Sequence, residues 1–481
     1  MTGSHVEEDI CYKSAVELAG SIRRRELSPV EIIAAFVRRI EAINPQVNAF
    51  CTLTLETAVE EAKKAEQAVM KGAPLGALHG VPFSVKDLIQ TKGVRTMQGS
   101  KVFEHFVPDE ESPLVGRLKA AGAILMGKTT TPEFGFKGVT DSPLTGITRN
   151  PWNLEMTPGG SSGGAAASVA AGMTPLAVGT DGGGSIRMPA AFTGIYGLKP
   201  TFGRVPVYPA SALDSLSHAG PMTRTVGDAA LMLSVMAGPH EADFLSLEGA
   251  PADYVGRLHE GVKGLRIAWS PSLGFVPAVE DEVAQITARA VRAFESLGAF
   301  VEEVADPGLG DPVSIHVPLW LAGLAGRVGA YLADWEGQMD PLLVSWAKIG
   351  MELPAVDFVR AQMLRSGLRD RLRRFFERYD LLLTPTLPLT AFRAGVSAQE
   401  ALEGSPIDYR NWSPFSAIFN LTHVPAASVP AGFTRAGLPV GLQIAGPRFS
   451  DLLVLQASAA FETIHPWTKR RPVIDGRQEP A

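Results

Sequence analysis

Apolar positions near the start of the chain recur at helical spacing. Ile32, Ile33, Phe36, Val37 and Ile40 share one face of a helix. Ser28, Pro29 and Glu31 open that helix, and Ser14 with Glu17 opens an earlier one. Both starts have the capping-box pattern, in which a serine hydroxyl and a glutamate three residues on satisfy free amides. Beyond residue 80 the pattern changes to short apolar runs alternating with helical stretches. Residues 81–85, 123–126, 175–178, 265–269, 381–383 and 441–445 read as strands. Residues 114–121, 165–171, 282–297 and about 356–379 read as helices. This alternation predicts an α/β fold, a large mixed or mainly parallel sheet surrounded by helices. No repeat or linker interrupts the 481 residues, so one domain over 1–481 is expected.

Composition narrows the partners. Lys and Arg number 44 against 50 Asp and Glu, a formal charge of −6. That balance lacks the basic stripe that nucleic acid or an anionic membrane surface requires. Two cysteines, Cys11 and Cys51, exclude a disulfide framework or a cysteine-rich metal centre. The nine histidines contain no pair at zinc-ligand spacing, so neither metal nor cofactor is expected. The first ten residues are acidic where a signal peptide is basic. The longest uncharged stretch, 156–180, is too rich in Gly, Ser and Ala to insert in a bilayer. A cytoplasmic protein without a membrane partner is therefore expected.

Glycine is the unusual count, 49 residues, and its excess is local. Residues 156–203 hold 12 glycines, where an even spread gives about five. Two clusters stand out: Gly159-Gly-Ser-Ser-Gly-Gly164 and Gly179-Thr-Asp-Gly-Gly-Gly-Ser-Ile-Arg187. Either is a tight turn, or a nest of backbone amides around an anion.

Phosphate is one candidate anion, because Gly122 to Thr129 matches the phosphate-loop pattern. Its four intervening residues are apolar, as in a buried strand, so the nucleotide reading is discounted. The other candidate is an oxyanion formed when Ser185 attacks a carbonyl, stabilised by the amides of Gly182, Gly183, Gly184 and Ser185. Ser185 then needs a base. A distant histidine remains open, and Gly159-Gly-Ser161-Ser-Gly163 formally matches the nucleophile-elbow pattern. Lys86 is the other choice. It ends the apolar run 81–85, where desolvation lowers a lysine's proton affinity. Against this stands an ordinary salt bridge to Asp87 or another acid.

Taken together, these segments resemble the amidase signature family of serine hydrolases. The resemblance is densest over Gly80-Val-Pro-Phe-Ser-Val-Lys-Asp87, Pro158–Gly164, Gly179–Pro189 and Gly194-Ile-Tyr-Gly-Leu-Lys-Pro-Thr201, and resumes over Gly437–Gly446. It implies a Ser–cis-Ser–Lys triad of Ser185, Ser161 and Lys86. It further implies support from Ser162, Thr180, Asp181 and Arg187, and a signature core over about 75–235. Position 182 is Gly where the family often carries a larger residue. A variable region over about 310–415 is expected to set specificity. Trp320, Trp335 and Trp346 there are candidate walls of an apolar pocket. The implied substrates are hydrophobic or aryl amides, or carbamates, with a homodimer left open. The competing implication is a glutamine-hydrolysing component of a tRNA-dependent amidotransferase. For that reading Arg365 matches a carboxylate-binding arginine, but Ser413 stands where an acid is expected.

Overall fold

The N-terminal helices form where their caps lie. The computed structural model describes residues 9–408 and 411–474. Helices Ala15–Arg23 and Pro29–Val47 each begin on a complete capping box, built by Ser14 with Glu17 and by Ser28 with Glu31. Ile32, Ile33, Phe36 and Ile40 are fully buried, and Val37 is half-buried.

In chain order the strands are β1 (Phe50–Leu53), β2 (Pro82–Lys86), β3 (Ile124–Thr129), β4 (Asp141–Ser142), β5 (Gly146–Ile147), β6 (Leu176–Asp181), β7 (Tyr196–Lys199), β8 (His218–Thr223), β9 (Arg266–Trp269), β10 (Phe300–Glu303), β11 (Leu381–Pro385), β12 (Ala426–Phe433) and β13 (Pro439–Ala445). β4 and β5 form a small ribbon, and the other eleven form one sheet in the order β1-β3-β2-β6-β8-β7-β12-β13-β11-β9-β10. β2 runs parallel to β3 and β6, and β9 parallel to β10 and β11; the remaining pairs are antiparallel. The sheet is therefore mixed. All six strands read from the sequence are present within a few residues.

Side-chain alternation gives this sheet two buried faces. On β11, Leu381 and Leu383 join the main core with Phe294 and Phe461, while Leu382 faces a second core with Leu368 and Phe419. On β6, Leu176 and Val178 face the main core, and Ala177 packs with helix Gly163–Ala170. Strands buried on both faces read as continuous apolar runs, which is why these were visible. β8 and β12 were not. His218-Ala-Gly-Pro-Met-Thr223 carries turn residues, and β12 contains Pro430 and Gly432 with a register shift between them. Their places inside the sheet override that local signal.

The helical run Val313–Gln338 is long and apolar enough to cross a membrane by length and composition. In this fold helix Val313–Val328 packs on helices Pro341–Met351 and Ala355–Phe375. β2 and β6, parallel neighbours, end side by side at Lys86 and Asp181. The carboxyl ends of such strands are where α/β sheets hold ligands.

Candidate active site

Lys86 is the last residue of β2 and is sealed from solvent. Its Nζ contacts three hydroxyls: Ser161 Oγ at 2.7 Å, Thr180 Oγ1 at 2.9 Å and Ser162 Oγ at 3.0 Å. The salt bridge to Asp87 is not formed. Asp87 instead accepts the Met97 amide at 3.0 Å and lies 3.6 Å from Lys128. Burial drives the Lys86 ammonium well below its ordinary range; Asp181 opposes this and the Arg327 charge adds to it. Lys86 thus releases its proton more readily than a solvated lysine, and it sits among hydroxyls that can donate as well as accept.

Ser161 follows a cis peptide bond from Gly160. A side chain at Gly160 has no room, because a Cβ there would fall 2.5 Å from the Val139 carbonyl oxygen. The next residue, Ser162, donates its amide to the Ser185 carbonyl at 3.2 Å, which ties the two glycine clusters together.

The second cluster is shaped by Asp181. One carboxylate oxygen accepts the Gly184 amide at 2.7 Å, and the other accepts the Ile186 amide at 3.1 Å. The Arg187 fork closes on the same carboxylate at 2.9 and 3.0 Å, and Asn420 donates to it at 2.8 Å. Burial alone would raise the Asp181 proton affinity. The Arg187 charge and hydrogen bonds, with Lys199 and Asn420, outweigh it and hold the carboxyl well below the usual range. Arg187 also donates to Gln443 Oε1 at 2.7 Å, Asn420 Oδ1 at 2.7 Å and the Ser416 carbonyl at 2.9 Å. The loop 182–185 is therefore pinned from beneath. Gly184 has a φ of 124°, and a Cβ there would meet Ser416 Oγ at 2.5 Å.

A buried lysine, a serine on it and a second serine in a braced glycine loop match a known family. The Amidase family model matches residues 31–455. The chain belongs to the amidase signature family. This amidase is 42% identical to an acylamidase of Rhodococcus erythropolis, over 97% of this chain and 98% of that protein. It is 38% identical to a glutamyl-tRNA(Gln) amidotransferase component of Moorella thermoacetica, covering 97% of this chain and 99% of that one. Among solved structures it resembles a bacterial aryl acylamidase of the amidase signature family. The TM-score is 0.88 at 34% identity, covering 95% of this chain and 97% of that one.

In this amidase Ser185 and Ser161 open on a cavity of about 260 Å³. Thr180, Gly182, Leu88, Phe103, Phe134, Leu213, Trp320, Arg327 and Tyr331 are among its lining residues. Of the sequence-expected pocket residues, Trp320 is in place. Its indole lies 3.2 Å from where a Cβ on Gly182 would sit, so it stands beside the space this glycine leaves. Trp335 and Trp346 do not line the cavity. They pack around Phe136, Leu324 and Leu343, with Trp346 edge-on to Phe136 at 5.8 Å. Arg365 is also elsewhere. It is buried, with its donors on Leu421 O, Ser215 Oγ and O, Asn420 O and His423 Nε2. Ser413 lies outside the lining; its carbonyl accepts from Ser416 Oγ at 3.0 Å. Neither half of a glutamine clamp faces the cavity. One oxyanion expectation is corrected too, since the Gly184 amide is taken by Asp181.

The phosphate-loop match is buried strand. Lys128 on β3 donates to the Ile89 carbonyl at 2.6 Å and Thr96 Oγ1 at 2.7 Å. Residues not singled out from sequence include Gln98 and Arg327 at the cavity, and Asn420, Ser416 and Gln443 beneath the loop. Gln443 falls in the segment Gly437–Gly446, which was noted for the resemblance. Arg327 carries no local signal at all, being one arginine in an apolar helix.

Proposed function

We propose that this hydrolase cleaves the C–N bond of hydrophobic or aryl amides, with carbamates in scope, through an acyl-enzyme on Ser185. The observation that carries the reading is Lys86, fully buried, with its proton affinity lowered by that burial, and bonded to Ser161. Lys86 takes the Ser161 proton as Ser161 takes that of Ser185. Ser185 Oγ bonds to the carbonyl carbon, and the carbonyl π pair moves to oxygen. The amides left to meet that oxyanion are those of Gly182, Gly183 and Ser185, while the Gly184 amide stays on Asp181. Collapse of the intermediate breaks the C–N bond, and the proton returns through Ser161 to the leaving nitrogen. Water, deprotonated by the same relay, releases the acid and restores Ser185.

The substrate class is supported by the lining. Leu88, Phe103, Phe134, Leu213, Trp320 and Tyr331 make an apolar, largely aromatic wall. The likeness to an acylamidase and an aryl acylamidase points the same way. A panel of chromogenic anilides, primary amides and carbamates, run beside Ser185→Ala, tests this. The expected result is turnover of anilides by the natural chain and none by the variant. Glutamine as the sole accepted amide, or full activity in Ser185→Ala, overturns it.

A further inference from the structure

Arg327 is the one charged side chain among the described residues lining the cavity. It lies in the last turn of helix Val313–Val328. Its Nη2 donates to Gln98 Oε1 at 2.6 Å, and the Phe134 ring covers the guanidinium at 5.5 Å. Gln98 is itself fixed: its amide donates to the Asp87 carbonyl at 3.1 Å, and its carbonyl accepts the Phe134 amide at 2.8 Å. Tyr331 stacks on Phe134 at 6.4 Å, and Phe103 stands edge-on to both. The arginine is thus held by a ring and a glutamine.

What is missing is an anion. No carboxylate forms an ion pair with Arg327 among the described residues. The buried arginines elsewhere are filled. Arg187 closes on Asp181, Arg224 on the carbonyls of Cys11, Lys13, Val169 and Thr174, and Arg365 on those of Leu421, Ser215 and Asn420. Arg327 by contrast is half-buried and opens on the substrate cavity, with most of its five N–H donors unmatched by protein. Burial lowers its proton affinity only to about 10, so it stays charged at neutral pH. A half-buried cation without a counter-ion is only partly hydrated, and a planar fork is matched best by a carboxylate bound through two parallel hydrogen bonds.

We propose that Arg327 receives a carboxylate on the substrate, so that this enzyme prefers amides or carbamates with an anionic arm reaching the Phe134–Tyr331 end of the cavity. The proposal rests on the amidase reading above and deepens it. The arm's apolar stem lies along the aromatic wall, and its carboxylate completes the guanidinium. Binding has a second consequence. The Arg327 charge adds to the lowering of the Lys86 proton affinity that burial causes, so a carboxylate that neutralises it raises that affinity in the complex. The acidic limb of kcat then lies at higher pH for an acid substrate than for its neutral ester.

The test uses the full chain and matched pairs: 4-acetamidobenzoate with its methyl ester, and glutaric acid monoanilide with its methyl ester. The natural chain is expected to favour at least one acid over its ester in kcat/KM. Arg327→Gln is expected to lower that acid-to-ester ratio about 30-fold, and Arg327→Lys about tenfold. An unchanged ratio in Arg327→Gln, or equal loss on acid and ester, overturns the proposal. Calorimetric titration of the same pairs into Ser185→Ala decides the matter if Arg327→Gln fails to fold. Tighter binding of an acid by tenfold or more supports the proposal, and equal or weaker binding overturns it. If the natural chain hydrolyses neither pair and no other amide, the amidase reading fails, and the titration still judges Arg327 separately.

Discussion

Lys86 Nζ lies 2.7 Å from Ser161 Oγ at the bottom of a cavity that also exposes Ser185. The distance is a hydrogen bond, and the burial of Lys86 decides which way the proton moves. A folded-state proton affinity well below the ordinary 10.5 leaves the amine able to accept. Activity should therefore rise as pH rises through the depressed Lys86 value, and level off well below 10.5. Lys86→Met should cost about a thousandfold or more in kcat with the fold intact, read by kinetics and circular dichroism. Lys86→Arg should be as inactive, since a guanidinium does not release its proton.

Asp181 holds the glycine loop 182–185 from below. Its folded proton affinity is depressed, so its contribution to stability is present above the unfolded value near 3.8 and is lost as pH falls through the folded one. The neutral-pH test is a substitution. Asp181→Asn leaves Arg187 buried and uncompensated and should cost about 3–5 kcal/mol in urea unfolding. The Gly184 and Ile186 amides lose carboxylate acceptors, so kcat should fall with it.

The tryptophans separate pocket from packing. Trp320→Ala enlarges the cavity beside Gly182 and should change the ranking of anilides by kcat/KM. Trp346→Ala removes a half-buried ring from a packed cluster and should cost about 1–3 kcal/mol of stability while leaving that ranking unchanged. Opposite outcomes would place Trp346, not Trp320, at the substrate.

Lys128 is structural. Its charge faces Asp87 at 3.6 Å, and burial raises the Asp87 carboxyl to about 6. Lys128→Met should destabilise the chain by about 3–5 kcal/mol in thermal or urea unfolding. Mg-ATP should produce no thermal shift, because Lys128 is enclosed in β3 and bonded to Ile89 and Thr96.

The site was legible where chemistry and local sequence coincide. Ser185 and Ser161 stand in glycine clusters, and Lys86 ends an apolar strand, so each announces itself within ten residues. Strands buried on both faces were equally visible as apolar runs. The rest depends on contacts across the chain. Arg365 sits in a plausible helix, but its donors are claimed by carbonyls from residues 215, 420 and 421. Trp335 and Trp346 share the segment of Trp320, and only the turn of each helix decides which of them faces the cavity. Arg327 meets Gln98 over 229 residues of sequence, a pairing no local pattern encodes.

The central claim is that Ser185 carries the acyl group and Ser161 only relays its proton. Intact-mass and peptide-mapping spectrometry after reaction with a fluorophosphonate measures this directly. The account predicts a single adduct on the peptide containing Ser185, its loss in Ser185→Ala, and much slower labelling in Lys86→Met. An adduct on Ser161, or undiminished labelling of Ser185→Ala, would contradict it.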